Sequence, residues 1–389
     1  MRTVADPSAR VSLLVRLLRL HVTDFRNLAE VEVEPSARAT IAVGQNGQGK
    51  TNLLEALYYL CTLKPLRAGR LQELVRFGAS RATVTGRFLL RGAERVISVQ
   101  VQDGARAVFV DGKKASSLEE YFGGVAVVAF TPDDLHVVKG GPDGRRGFLD
   151  RAVFNRFPAF LKESRAYARA LKNRNKLLKD RAEPAYLAAY DEALAQAGGR
   201  VWARRRALMA ELSGRAAAAF ERIGRTADPA TFRYVPHGLK LPAEAPFEAA
   251  EEGALAAHLL QRLGERLPRD LERGYTSVGP HADDVALQLG GRSARDYASQ
   301  GQQRAFVLAW KVAEIENLSA ALGHLPLLLL DDVSSELDPE RNAYLMTYLA
   351  ASGAQVVLTT TEGSLVRAAA GEDTRWLAVQ AGRVGAEQS

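Results

Sequence analysis

Residues 44–51 read Gly-Gln-Asn-Gly-Gln-Gly-Lys-Thr, which fits the G-x-x-x-x-G-K-[ST] phosphate loop. Before it runs Ala39-Thr-Ile-Ala-Val43, a short apolar run of strand formers; after it, Asn52-Leu-Leu-Glu-Ala-Leu-Tyr-Tyr-Leu60 places apolar residues at helical spacing. A strand feeding a glycine-rich loop that opens a helix is the context in which this pattern carries a mechanism. Glycine lets the chain curl so that backbone N–H groups along Gly44, Gln45, Asn46, Gly47, Gln48 and Gly49 point inward at phosphate oxygens. The helix N-terminus, with Asn52 in its first turn, adds partial positive charge at the same point. Lys50 would reach the β- and γ-phosphates, and the Thr51 hydroxyl would complete a Mg²⁺ shell. A nucleoside triphosphate and Mg²⁺ are therefore the expected ligands, and an α/β fold is the expected frame. A plain glycine-rich turn before a helix would not need the Lys and Thr as well.

With 389 residues the chain has room for two domains, or for one large domain with an insertion. No apolar run approaches the roughly 20 residues of a membrane helix. The apolar stretch Leu13 to Val22 is broken by Arg16 and Arg19, a poor signal-peptide core. Cys61 is the only cysteine, which excludes an intrachain disulfide and a thiolate metal cage; a cytoplasmic address with no membrane partner follows. The net charge of +7 is unevenly spread: Arg151 to Arg225 holds 17 Lys and Arg against 7 Asp and Glu, so this one segment carries all of the excess. Such a concentration is the footprint of a polyanion-binding surface.

Along the chain, short strands are expected at Leu18–Thr23, from Val31 and into the phosphate loop, with a helical piece at Leu71–Phe77. Thr83–Leu90 and Val96–Gln102, with turn signals Asp103-Gly104 and Asp111-Gly112, read as an antiparallel meander, and Val125–Phe130 as a buried strand. From near Arg145 the texture becomes Ala-, Leu- and Arg-rich and helical. Pro158, Pro184 and the Gly198-Gly199 pair are expected to interrupt it, giving a compact helical domain and no long coiled-coil arm. Strand texture resumes at Asp284–Leu289, a helix follows near Gln303, and Leu325–Leu330 and Gln355–Thr359 are parallel-sheet candidates. The expected division is an extension over 1–12, a head made of 13–150 and 276–365, a helical insertion over 151–275, and a C-terminal hairpin and tail over 366–389.

Leu327-Leu-Leu-Leu-Asp331-Asp332 has the form of a Walker B strand, a buried apolar run delivering carboxylates at its C-terminal end. Asp331 is placed to hold Mg²⁺, and Asp332 to orient and polarise the attacking water as general base, so Lys50, Asp332 and Ser299 form the expected catalytic set. Ser299-Gln-Gly-Gln-Gln-Arg304, just before a helix, is similar to the ABC signature. There Ser299, Gly301 and Gln302 would meet the γ-phosphate of a nucleotide held by a second subunit. Ser335-Glu-Leu-Asp338 fits the loop that crosses to that subunit.

With these motifs in order, the chain resembles the RecF family of bacterial recombination mediators, ABC-type ATPases related to SMC heads. Phe25-Arg-Asn-Leu, Lys139-Gly-Gly-Pro-Asp-Gly-Arg-Arg-Gly-Phe-Leu-Asp150, Leu171-Lys-Asn-Arg-Asn-Lys-Leu-Leu178 and Thr276-Ser-Val-Gly-Pro-His281 support the narrower name. The resemblance implies an ABC-type head, with a mixed sheet and an antiparallel β subdomain, plus a helical insertion. It implies ATP-driven dimerisation from a nucleotide-free monomer, on gapped or duplex DNA, and recombinase loading with RecR and RecO. The chain departs from ABC ATPases in places: Asp332 stands where most carry Glu, Thr359-Thr-Thr361 replaces the switch His, no Gln lies near Phe130–Asp134, and Ala282 stands where Arg often follows Gly-Pro-His. Weak, DNA-stimulated hydrolysis is expected, below the median enzyme turnover of about 10 per second.

For DNA contact the expected residues are Lys172, Arg174, Lys176, Lys179, Arg204, Arg205 and Arg206, phosphate-directed types with few aromatics among them. The alternative for each is a pair with Glu163, Asp180, Asp191 or Glu192 on a neighbouring helix. His281 either touches nucleotide or caps a turn. A small-molecule kinase would also need the phosphate loop but has no use for the Ser299 and Ser335 motifs. A transporter subunit fits poorly with the basic insertion, and a scaffold without hydrolysis would be indifferent to Asp332→Asn.

Overall fold

A computed structural model describes residues 15–67, 69–239, 247–367 and 370–386. The extension expected over 1–12 lies outside the described residues. The chain divides into two compact units, 1–135 with 314–389, and 136–313. These limits differ from the expected 150/151 and 275/276, and Ser299 goes with the second unit.

In the first unit come β1 (Val15–Phe25), β2 (Leu28–Val33), β3 (Ala39–Val43), α1 (Lys50–Thr62), β4 (Arg81–Leu90), β5 (Ala93–Gln102), β6 (Ala105–Val110), β7 (Lys113–Lys114), α2 (Leu118–Phe122), β8 (Val127–Phe130) and α3 (Pro132–Leu135). The second unit holds α4 (Pro142–Arg156), α5 (Phe160–Lys179), α6 (Pro184–Gly224), β9 (Ala230–Val235), α7 (Glu252–Arg273), β10 (Asp284–Leu289), β11 (Arg292–Ser293) and α8 (Ala294–Tyr297). After α9 (Gln300–Leu322) the first unit is completed by β12 (Leu327–Asp331), α10 (Val333–Glu336), α11 (Pro339–Ser352), β13 (Val356–Thr360), α12 (Ser364–Arg367), β14 (Thr374–Gln380) and β15 (Arg383–Ala386).

Two sheets build the first unit. One is antiparallel, in the order β2-β1-β4-β5-β6-β7; its Asp103-Gly104 and Asp111-Gly112 turns have both residues at positive φ, the geometry that matches strand twist. The other runs β15-β14-β3-β13-β12-β8 and is parallel except for β15. β12 and β13 are buried at every position, as the near-continuous apolar runs of a covered parallel sheet require. α1 is buried on almost all sides and touches strands of both sheets. Gln355 ties the sheets together: its amide accepts from Leu17 N–H (2.7 Å) and donates to the carbonyls of Leu17 (2.9 Å) and Ser36 (2.8 Å).

Three readings of the sequence change. Leu71–Phe77 is no α-helix; only Leu71–Leu74 forms a 3-10 turn. The Gly198-Gly199 pair does not break the helix, because α6 runs unbroken for 41 residues. A Cβ on Gly199 would lie 2.9 Å from Ala256 N of α7, so the pair serves helix–helix approach. Lastly, the C-terminal hairpin expected beyond the head enters its sheet, β14 pairing with β3 along Thr374↔Ala39 to Ala378↔Val43.

In the second unit α4 packs on α6 and β10, which is why the chain from Pro142 onward sorts with the helices. Asp283, fully buried, gathers Trp202 Nε1–H (3.0 Å), Arg205 Nη1–H (3.0 Å), the Tyr234 hydroxyl and His237 N–H (2.8 Å). His281 is structural: Nε2 faces the Thr276 carbonyl (2.9 Å), which can only accept, so Nε2 carries the proton and Nδ1 accepts from the Tyr167 hydroxyl (2.6 Å). Burial pushes its pKa below the ordinary histidine value, keeping it neutral.

Candidate functional site

β3 delivers the phosphate loop at the C-terminal edge of the parallel sheet, where α/β folds place their ligands. The loop is held close on both sides. A Cβ on Gly44 would lie 2.3 Å from the Val379 carbonyl of β14, and one on Gly49 2.8 Å from Asn27 Oδ1, with φ at +113°. Gln48 is clasped by the β14–β15 turn, its carbonyl accepting from Gly382 N–H (2.8 Å) and its side-chain oxygen from Ala381 N–H (2.7 Å). Asn52 donates to Asn27 Oδ1 at 2.7 Å. Gln45 and Asn46 lie in the same turn, and Gly47, at φ +79°, has open space where a Cβ would stand.

Lys50 folds back over the loop, donating to the carbonyls of Gly44 (2.6 Å) and Gln45 (3.0 Å). Burial lowers its pKa, with Asp332 and Asp331 acting against that shift. Two hydroxyls converge on one oxygen of Asp331, from Thr51 at 2.8 Å and Thr359 at 2.9 Å. Asp332 follows in the left-handed region (φ 48°), its N–H bonded to the Thr359 carbonyl at 3.0 Å. One of its carboxylate oxygens is buried with no hydrogen-bond partner. Burial raises the Asp332 pKa, chiefly opposed by a hydrogen bond from Thr361 and by the charge of Lys50. A glycine-rich loop at a helix N-terminus, a desolvated ammonium and an orphaned carboxylate oxygen form a polar set that an anionic, metal-associated ligand would satisfy. Lys50, Thr51, Asp331 and Asp332 are thus gathered at one place.

Reading the sequence missed the neighbours of this cluster. Glu55, fully buried on α1, is held by Arg26 (3.0 and 3.1 Å) and Arg67 (3.2 Å), and Arg67 also donates to Asn52 at 2.6 Å. Two signals were visible, a glutamate among apolar helix positions and Arg26 in the Phe25-Arg-Asn-Leu stretch; nothing in the sequence marked Arg67.

The Ser299 motif lies in the other unit. Ser299 is exposed, and Gln302 N–H bonds its hydroxyl (3.2 Å) while the Gln302 side chain accepts from Ser299 N–H (2.8 Å), a reciprocal capping box. Gln303 anchors the turn from below by donating to the Ala298 carbonyl at 2.8 Å. Ser299 and Gly301 therefore stand at the start of a 23-residue helix, on a braced turn. Asp338 caps α11 by accepting from Arg341 N–H at 3.1 Å.

The expected DNA contacts divide sharply. Arg174 is fully buried, paired with Asp191 (2.6 Å) and Asp270 (2.8 Å), and cannot meet a backbone phosphate. Arg205 is buried between Asp150 (2.8 Å) and Asp283 (3.0 Å). Arg204 pairs with Glu163 at 3.0 Å, and Arg206 donates to the carbonyls of Phe247 and Ala250. These four arginines serve the helical core and its edge, whereas Lys172, Lys176 and Lys179 are exposed.

Residues 16–383 match the RecF/RecN/SMC N terminal domain family. The DNA replication and repair protein RecF of Myxococcus xanthus is 73% identical over 95% of this chain and 97% of its own length. That of Geobacter sp. (strain M21) is 40% identical over 95% of this chain and 100% of its own. The solved recombination mediator protein RecF–ATP of the RecFOR pathway superposes with a TM-score of 0.84 at 30% identity, covering 97% of this chain and 99% of that one. An SMC head bound to a winged-helix domain, 16% identical with a TM-score of 0.52 over 95% of each chain, shares the fold. With the cradle, the paired aspartates and the capped Ser299 turn in place, the chain belongs to the RecF family of ABC-type ATPases.

Proposed function

We propose that the protein is an ATP-switched, DNA-binding recombination mediator. Two copies close on two nucleotides, and hydrolysis releases them. The observation that carries this is the Ser299 turn: exposed, braced by its capping box, and presenting a hydroxyl and helix N–H groups to solvent. A second copy's γ-phosphate suits that turn, so closure would depend on the phosphate that hydrolysis removes. Gly44 to Asn52 would cradle the triphosphate. Thr51 and Asp331 are the residues that would hold Mg²⁺, whose chemistry is to neutralise charge on the β- and γ-phosphates. Asp332 would accept the proton of the attacking water; a side chain shorter than Glu supports slow hydrolysis. Family membership supports DNA as the ligand, RecR and RecO as partners in recombinase loading, and a cytoplasmic setting. No described helix is long and apolar enough to cross a membrane.

The test is oligomer mass with ATP and with ADP, with and without gapped duplex. Wild type is expected to dimerise with ATP alone among the two, and Lys50→Met and Ser299→Arg to stay monomeric. A dimer indifferent to nucleotide would refute the reading.

A further inference from the structure

Helix α5 (Phe160–Lys179) has two faces of unlike chemistry. Tyr167, Arg174 and Leu178 turn inward and are buried. Outward stand Lys162, Arg165, Arg169, Lys172, Lys176 and Lys179, all exposed. Their spacing of three, four, three, four and three keeps them on one stripe, within an arc of about 100° at 3.6 residues per turn. The stripe runs about 26 Å at 1.5 Å per residue, the length of seven to eight base pairs.

A row of like charges one turn apart repels itself, so the fold gains nothing from it. Favourable interaction with the helix dipole accounts only for Lys176 and Lys179 in the last turn; Lys162 and Arg165 sit near the opposite end, where cations are disfavoured. Glu163, the only acid within the helix, is turned aside to hold Arg204. Among the described residues Lys162, Arg169, Lys172, Lys176 and Lys179 make no ion pair with a carboxylate. The two aromatics of α5, Phe160 and Tyr167, are both buried, so the outer face offers no platform for stacking bases. We infer that this face of α5 is the docking track for duplex nucleic acid, read through its phosphate backbone. This moves the contact away from Arg174 and the 204–206 run, and adds Lys162, Arg165 and Arg169. It rests on the proposal that DNA is a ligand of this protein.

The experiment measures binding of the full chain, with ATP present, to a labelled duplex of about 20 base pairs between about 50 and 200 mM salt. Each phosphate contact contributes about 0.9 to the slope of log K against log salt. Six contacts would cost wild type about two-thousandfold in affinity over that range; the variant Lys162→Gln/Arg169→Gln/Lys176→Gln should lose only about fortyfold, its slope shallower by about 2.7. Lys113→Gln/Lys114→Gln, exposed on β7, is the control and should keep the wild-type slope. ATP-dependent dimer mass, read alongside, should be unchanged in both variants without DNA. If wild type binds steeply and the triple variant equally so, the α5 assignment is wrong while the DNA reading stands. If wild type shows no salt-dependent binding, both fall. Tighter binding to a single strand of equal charge would overturn the duplex assignment.

Discussion

Asp332 shows how one side chain can be both strained and useful. It takes a left-handed backbone conformation, leaves one carboxylate oxygen without a partner, and sits within the field of Lys50. Asp332→Asn should slow hydrolysis by about 10²- to 10⁴-fold while ATP-dependent dimerisation persists; a nucleotide assay beside mass measurements separates the two. The base proposed here must be ionised to accept a proton, so activity is expected to fall as pH drops through the Asp332 pKa. Because burial raises that pKa, the acid limb of the rate profile should lie above the ordinary Asp value of about 3.9. Arg174 makes the opposite point. Its removal strands Asp191 and Asp270 in the core, so Arg174→Ala should cost about 3–5 kcal/mol in a denaturant melt, against almost nothing for exposed Lys172→Ala.

Among the elements, α6 was the least legible. A Gly-Gly pair inside a helical pattern reads as a break when propensity is all one has, yet here tertiary packing overrides it. The neighbour that demands glycine is α7, some fifty residues further along the chain, and no local pattern shows it. Gly199→Ala, with Ala256 N, Ala256 Cβ and Glu252 O all at 2.9–3.0 Å from the new methyl, should lower stability by about 1–2 kcal/mol despite a better helix former. Gly214→Ala on the same helix, exposed and with open space around it, should raise stability by about 0.5–1 kcal/mol. Opposite signs from one substitution type would distinguish packing from propensity. The Walker strands were legible for the converse reason: β3, β12 and β13 are short, apolar and bounded by motifs whose chemistry fixes where the strand must end.

For the whole molecule, order along the chain was readable and proximity was not. The phosphate loop, the paired aspartates and the Ser299 motif announced themselves by local composition. Arg67, which braces the loop's surroundings, lies in a stretch with no pattern of its own, and Asn27 sits in a quoted motif that does not say what it touches. Likewise, the basic segment was visible as a charge count, but only packing tells which cations neutralise buried acids and which face water. With the short Asp332 as the proposed base, unstimulated turnover should stay below about 10 per second, a rate that steady-state phosphate release without DNA would check. The C-terminal hairpin carries a consequence for genetics. Its turn at Ala381-Gly382 grips Gln48, although the two lie more than three hundred residues apart in sequence. A nonsense codon just before this hairpin would spare every named motif and still let the cradle go slack, so a lesion near Thr374 should mimic one in the phosphate loop itself.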